Sequence, residues 1–185
     1  MKSFTEADAV LAGAGSFAIV ERAELEQQFD QLLAANGAAL SRLAASYTNT
    51  TSDRDDLLQE IAMAVWLALR TFRGECSART FLFRIAHNRA IAYLSRNRPQ
   101  FADEEIDVHD PAPNPESGLA QQQRAERLRR AIHRLPVLYR QVITLTLEDM
   151  GYTEIADVLG ISESNVGVRL SRARQLLRES LENYK

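Results

Sequence analysis

Apolar residues recur along this chain at three- and four-residue intervals, and strand-like alternation bounded by turn dipeptides is absent, so the pattern predicts an all-α protein. Leu25, Phe29, Leu32 and Leu33 form one stripe, Asn36-Gly37 weakens it, and Leu40, Leu43, Ala44 and Tyr47 resume it. The polar run TNTTSD then ends one helix and caps the next. From Asp53 to Phe72 the period is strongest, and Leu58, Ile61, Val65, Leu69 and Phe72 fall on one predicted core face. The opposite face holds Asp56, Glu60, Met63 and Leu67, with Gln59 and Trp66 beside it. Acids and apolar groups sharing a surface suit a protein partner; a solvated helix with incidental apolar residues is the plainer reading.

After FRGEC, Ser77 is placed to cap a helix running to about Asn97. Phe81, Leu82, Ile85, Ala86, Tyr93 and Leu94 are available there for packing, and Arg84, Arg89, Arg96 and Arg98 for solvent or phosphate. Pro99 stops the helix. The stretch from Gln100 to Gly118 has three prolines, six acids and few large apolar groups, which is the chemistry of a linker. The expected organisation is therefore two small helical domains, residues 24–98 and 119–185, joined by an acidic linker, 99–118. Residues 1–23 read as a loose extension, because Glu6 and Asp8 precede its weakly apolar stretch where a signal peptide needs positive charge.

Beyond the linker, Leu128, Ala131, Ile132 and Leu135 mark a helix, Pro136 suits the start of another, and Leu138, Val142 and Leu145 continue it. Residues 151–182 then read as a short helix, a Gly turn and a longer helix. Ala156 is small enough for close helix approach, Gly160 supplies the turn, and Ile155, Val166 and Leu170 supply an apolar lock. Ser162 can cap the second helix. With Val166, Leu170, Ala173 and Leu177 inward, Ser164, Asn165, Val168, Ser171, Arg172 and Gln175 face outward, flanked by Arg169 and Arg174. Hydroxyl, amide and guanidinium groups can read base edges in a major groove and hold phosphate. The alternative is a plain helical hairpin.

Net charge is −3, which argues against a general nucleic-acid coater and shifts attention to how the charge is distributed. Residues 70–98 carry seven arginines against one acid, 99–120 six acids and no base, and 121–185 eleven bases against eight acids. Two basic surfaces flank an acidic strap. Cys76 is the single cysteine, and His87, His109 and His133 show no metal-ligand spacing, so no disulfide, metal or other cofactor is expected and a reducing cytoplasm is the natural compartment. No Gly-rich phosphate loop or nucleophile constellation marks an enzyme.

Taken together, these pieces resemble the extracytoplasmic-function sigma factors over nearly the whole chain. DLLQEIAMAVWLAL from Asp56 resembles the family's polymerase-binding helix, FRGECSARTFLFRIAHNRAIAYL from Phe72 its minus-10 segment, and RLPVLYRQVITL with YTEIADVLGISESNVGVRLSRARQLL its minus-35 domain. The resemblance implies that Asp56, Gln59, Glu60 and Met63 dock on the clamp helices of core RNA polymerase. It implies that Arg73, Arg79, Phe81, Phe83, Arg84, Asn88 and Arg96 engage the minus-10 element, although one of the two phenylalanines is also a candidate for the core. Ser162, Ser164, Asn165, Val168, Arg169, Ser171 and Arg172 would read the minus-35 element. The implied partners are core polymerase (clamp helices and flap), promoter DNA and an anti-sigma factor, with no membrane insertion. The acidic linker would thread toward the polymerase active centre or serve as a passive tether. Gly167 stands where the family often has lysine, Val168 where it often has serine, Ala92 where aspartate is frequent and Ser95 where a base is common. A dimeric helix-turn-helix regulator and an inactive decoy are the competing readings.

Overall fold

The computed structural model describes the backbone of residues 6–97 and 119–182, and the side chains of residues 22–97 and 123–182. Among the described residues every regular element is a helix: α1 (Glu6–Ala45), α2 (Thr51–Leu69), α3 (Ala78–Arg96), α4 (Leu119–His133), α5 (Val137–Leu147), α6 (Tyr152–Leu159) and α7 (Glu163–Glu182). The acidic linker expected at 99–118 lies outside the described residues.

The first three helices pack on one another, and two expectations about α1 are corrected. It does not weaken at Asn36-Gly37, because the buried Asn36 turns its Nδ2 back to the Leu32 carbonyl at 2.8 Å and so satisfies its amide within the helix. Gly37 still costs about 1 kcal/mol relative to alanine, a loss that the buried Leu40 and Leu43 outweigh. The helix also starts at Glu6, so the segment read as a loose extension continues α1.

In α2, Thr50 caps the first turn, its hydroxyl accepting the Asp53 N–H at 3.1 Å. Leu57, Ile61, Val65 and Leu69 are buried, whereas Leu58 and Phe72 are only half-buried. The expected face was thus one leucine out of phase, since the i, i+4 row through Leu57 is the one that meets α1 and α3. Ser77 caps α3 as expected, accepting the Thr80 N–H at 3.0 Å, and Leu82, Phe83, Ala86, Ala90 and Tyr93 line its buried side.

The remaining helices enclose Leu135, Val142, Leu145, Ile155, Val158, Val166, Leu170, Ala173 and Leu177. The two sets of helices pack against each other: their buried residues form one continuous cluster, and α6 lies directly on α3. At the joint, Arg140 of α5 reaches the end of α1. One guanidinium nitrogen donates to the Ser46 carbonyl at 3.1 Å, another to the Leu135 carbonyl at 3.0 Å and to that of His133, and its carbon lies 5.6 Å from the centre of the fully buried Tyr47 ring. His87 meets the same ring edge-on, with centroids 6.3 Å apart.

Candidate nucleic-acid interface

The helix-turn-helix forms for local reasons. Gly160 ends α6 in the left-handed region (φ 65°, ψ 38°), where a Cβ would be strained, and the Ile161 N–H closes the turn on the Ala156 carbonyl at 3.1 Å. Ser162 accepts the Asn165 N–H at 3.3 Å and so caps α7. Across the turn, Thr153 donates to Glu163 at 2.9 Å, and at the start of α6 the Gly151 N–H donates to Glu154 at 2.9 Å.

Burial of Val166, Leu170, Ala173 and Leu177 fixes the roll of α7. Ser162, Ser164, Asn165, Val168, Ser171 and Arg172 are then exposed together, with Arg169 half-buried at their edge. Val168 is 70% exposed, an apolar group held in water. Arg169 donates to the Asn165 amide oxygen at 2.8 Å and Arg172 to that of Gln175 at 2.8 Å, so the arginines lean along the helix axis. This surface can offer donors, an acceptor and a methyl contact to base edges.

A polar recess of about 400 Å³ opens beside that face, lined by Tyr152, Gly167, Ser171, Arg174, Gln175 and Arg178. Sequence reasoning had left Tyr152 and Arg178 unassigned, although Gly167, Ser171, Arg174 and Arg178 follow helical spacing along one stripe. A Cβ at Gly167 would meet the Tyr152 ring at 3.6 Å, an ordinary contact, so the glycine is not required by packing.

The first three helices carry the other proposed faces, and these are arranged differently. Asp56 and Gln59 are exposed, as are Met63 (55%) and Leu67 (66%), so the mixed surface of α2 is open. Glu60 is paired: both its oxygens accept from Arg96 of α3 at 2.8 Å, which joins an expected polymerase contact to an expected DNA contact. Arg73 and Asn88 are exposed and Arg84 is half-buried. Phe81 is half-buried and stacked on Phe72, with centroids 4.3 Å apart and rings inclined by 29°. Phe83 is a correction: it is fully buried, packed in the core with Leu82 and Ala86, and cannot stack on a base in this arrangement. Arg79 lies 5.4 Å from the Phe83 ring centre and donates to the Glu148 carbonyl, so it too is engaged internally.

Glu148 had no role in the sequence reading. Its side chain is 4% exposed, and it accepts two hydrogen bonds from Arg42 of α1, at 2.8 Å and 2.6 Å. A groove of about 560 Å³ beside the pair is lined by Arg42, Arg54, Leu128, Ile132 and Leu147 among others. Burial lowers the pKa of His87 to about 4. That of His133 also falls to about 4, through burial first and then the charge of Arg140. Both imidazoles are therefore neutral at pH 7. Among the described residues, no cluster of three or more His, Cys, Asp or Glu side chains could hold a metal, and no helix is long and apolar enough to cross a membrane.

Comparison with known proteins agrees with this layout. Residues 32–100 match the model for sigma-70 region 2, and residues 125–177 that for sigma-70 region 4. The chain is similar to the RNA polymerase sigma factor CnrH of Cupriavidus metallidurans, with 33% identity over 168 residues covering 85% of this chain and 88% of that one. It is similar to the ECF RNA polymerase sigma-E factor of Escherichia coli K12, with 30% identity over 173 residues covering 86% and 90% of the two chains. Among solved structures it resembles that of CnrH in complex with the cytosolic domain of CnrY, with a TM-score of 0.66 and 30% identity, covering 86% of this chain and 91% of that one.

Proposed function

Since the chain belongs to the ECF RNA polymerase sigma factors, we propose that it binds core RNA polymerase, directs initiation at promoters with matched minus-10 and minus-35 elements, and is held in check by an anti-sigma protein. The exposed face of α7, set by the burial of Val166 and Leu170 downstream of a region 2 match, carries this reading. Ser162, Ser164, Asn165, Val168, Arg169, Ser171 and Arg172 read the minus-35 major groove, and the neighbouring Arg174, Arg178 and Tyr152 hold its phosphates. The exposed surface of α2 around Asp56, Gln59 and Met63 docks on polymerase, with Glu60 joining it when Arg96 lets go. The loop at Arg73 and the exposed side of α3, including Asn88, Arg84, Phe81 and Arg96, follow the opened minus-10 strand.

Relatives of this chain are transcription factors, and its work needs no covalent step. Polymerase holds both DNA-binding surfaces near the promoter, so two modest affinities multiply through effective concentration. A chain of net charge −3 can then be a weak DNA binder alone and a specific one in the holoenzyme. The working compartment is the cytoplasm, where polymerase and promoter meet. The test is transcription in vitro: purified chain plus core polymerase on a genomic template is expected to start at promoters that neither component uses alone. Absence of any such start would refute the proposal.

A further inference from the structure

We infer that Val168 selects a thymine in the minus-35 element, packing against the C5-methyl of the base while Asn165, one turn earlier, donates to O4 of the same base. The inference deepens the sigma-factor reading above and rests on it for the duplex that α7 meets. Val168 is 70% exposed, more than any other large apolar residue among the described residues. Its neighbours on the same side of α7 are Ser164 and Asn165 one turn earlier and Ser171 and Arg172 one turn later, all polar and exposed. The valine thus has no apolar partner on its own helix face, and a β-branched residue there helps neither the core nor the helix. A single exposed apolar side chain is ordinary on a protein surface. What sets this one apart is its place, in the middle of a row of hydrogen-bonding groups on the second helix of the helix-turn-helix.

The groups beside Val168 narrow the choice of base. Arg172 donates to Gln175 at 2.8 Å, toward the C-terminal end of the helix, and Arg169 donates through Nε to Oδ1 of Asn165 at 2.8 Å. A guanidinium can only donate, so its contact fixes which end of the Asn165 amide it meets and leaves the Nδ2 hydrogens for an acceptor outside the helix. Through this bond Arg169 positions Asn165. The row therefore presents an amide donor and, three residues on, the methyl groups of a valine. In the major groove thymine alone among the four bases carries a methyl, and its O4 acceptor lies beside it. Cytosine sets an amino donor against the amide and offers no methyl, and the purines offer acceptors without an apolar group. Methylating cytosine supplies the methyl but keeps the opposing donor, so thymine is the base that satisfies both side chains.

The test uses the full-length chain with core polymerase and a pool of random-sequence duplexes long enough to hold both promoter elements. The most enriched duplex is rebuilt with deoxyuridine, which lacks only the methyl, at each thymine of the minus-35 site in turn. One of these replacements should weaken wild-type binding about fourfold, the worth of one buried methyl. Val168→Ser should bind the thymine and deoxyuridine duplexes alike, both at the weakened level, with unchanged helical circular dichroism; should it fail to fold, Val168→Ala takes its place. At the same position 4-thiothymine keeps the methyl and the pairing but offers sulfur, a weaker acceptor. It should weaken the wild type by about two- to tenfold and leave Asn165→Ala unaffected. A minus-35 site without thymine, tolerance of deoxyuridine at every thymine of the site, or equal sensitivity in the wild type and the Val168 variant would overturn the inference. Indifference of the wild type to 4-thiothymine would overturn the Asn165 contact. If the chain enriches the same duplexes without core polymerase, methyl dependence that Val168→Ser abolishes would uphold the thymine contact and refute the sigma-factor reading. Enrichment of no duplex under either condition would overturn both.

Discussion

The α7 face and the α3 face are both built from arginines and small polar groups on a helix, yet the first is open and several groups of the second are engaged internally. Around α7, Ser164, Asn165, Val168 and Arg172 stand exposed over a buried stripe, and their hydrogen bonds stay within the helix. Around α3, Phe83 is in the core, Arg79 is bonded to Glu148, and Arg96 is paired with Glu60. A surface that reads intact duplex can be finished before it meets its target. One that grips a strand available only after melting can keep its groups in internal contacts until polymerase arrives.

The sharpest way to break this contrast is Phe83→Ala. As a core residue it should cost about 3–5 kcal/mol of stability, seen as a lower denaturation midpoint. A normal midpoint with impaired minus-10 use would instead make it a stacking residue. Acid is the next largest perturbation. His87 has a folded-state value of about 4 against an ordinary 6.5, so the unfolded chain binds the proton more tightly. Its stabilising contribution is complete above pH 6.5 and is lost progressively as pH falls toward 4, by about 3 kcal/mol in all. His133, at the joint, shifts in the same direction. Urea midpoints at pH 7 and pH 5 should therefore differ, and His87→Gln should flatten the difference.

On the α7 side, Arg172→Ala should leave stability within about 0.5 kcal/mol and weaken minus-35-dependent initiation by about 1–3 kcal/mol in binding, read as promoter strength against salt. The smallest effect belongs to Gly167→Ala. The added Cβ finds an ordinary contact with Tyr152, so the helix should gain about 1 kcal/mol in thermal unfolding. A fall in minus-35 use despite that gain would mean the glycine keeps the recess open for phosphate.

The helix-turn-helix was legible in the sequence because its determinants are local. Ala156, Gly160 and Ser162 lie within one short stretch, and turn and cap chemistry fix the geometry without distant help. The roll of α7 followed from four apolar residues at helical spacing. Helix phase was harder where large apolar residues are adjacent: Leu57 and Leu58, and the closely spaced Phe81 and Phe83, exchange roles with a rotation of one residue or two. Tertiary packing decides such cases. The joint was invisible for a different reason, since Arg42 and Glu148 are 106 residues apart and neither carries a local signal. The weakening expected at Asn36-Gly37 is absent because the buried asparagine bonds its own helix.

The most direct test is footprinting of one promoter with the chain alone, core polymerase alone and the two together. Joint protection of the minus-35 duplex and opening at minus-10, only when both are present, is the expected result. Protection of paired half-sites by the chain alone, unchanged by polymerase, would contradict it and make the chain a self-sufficient DNA-binding regulator.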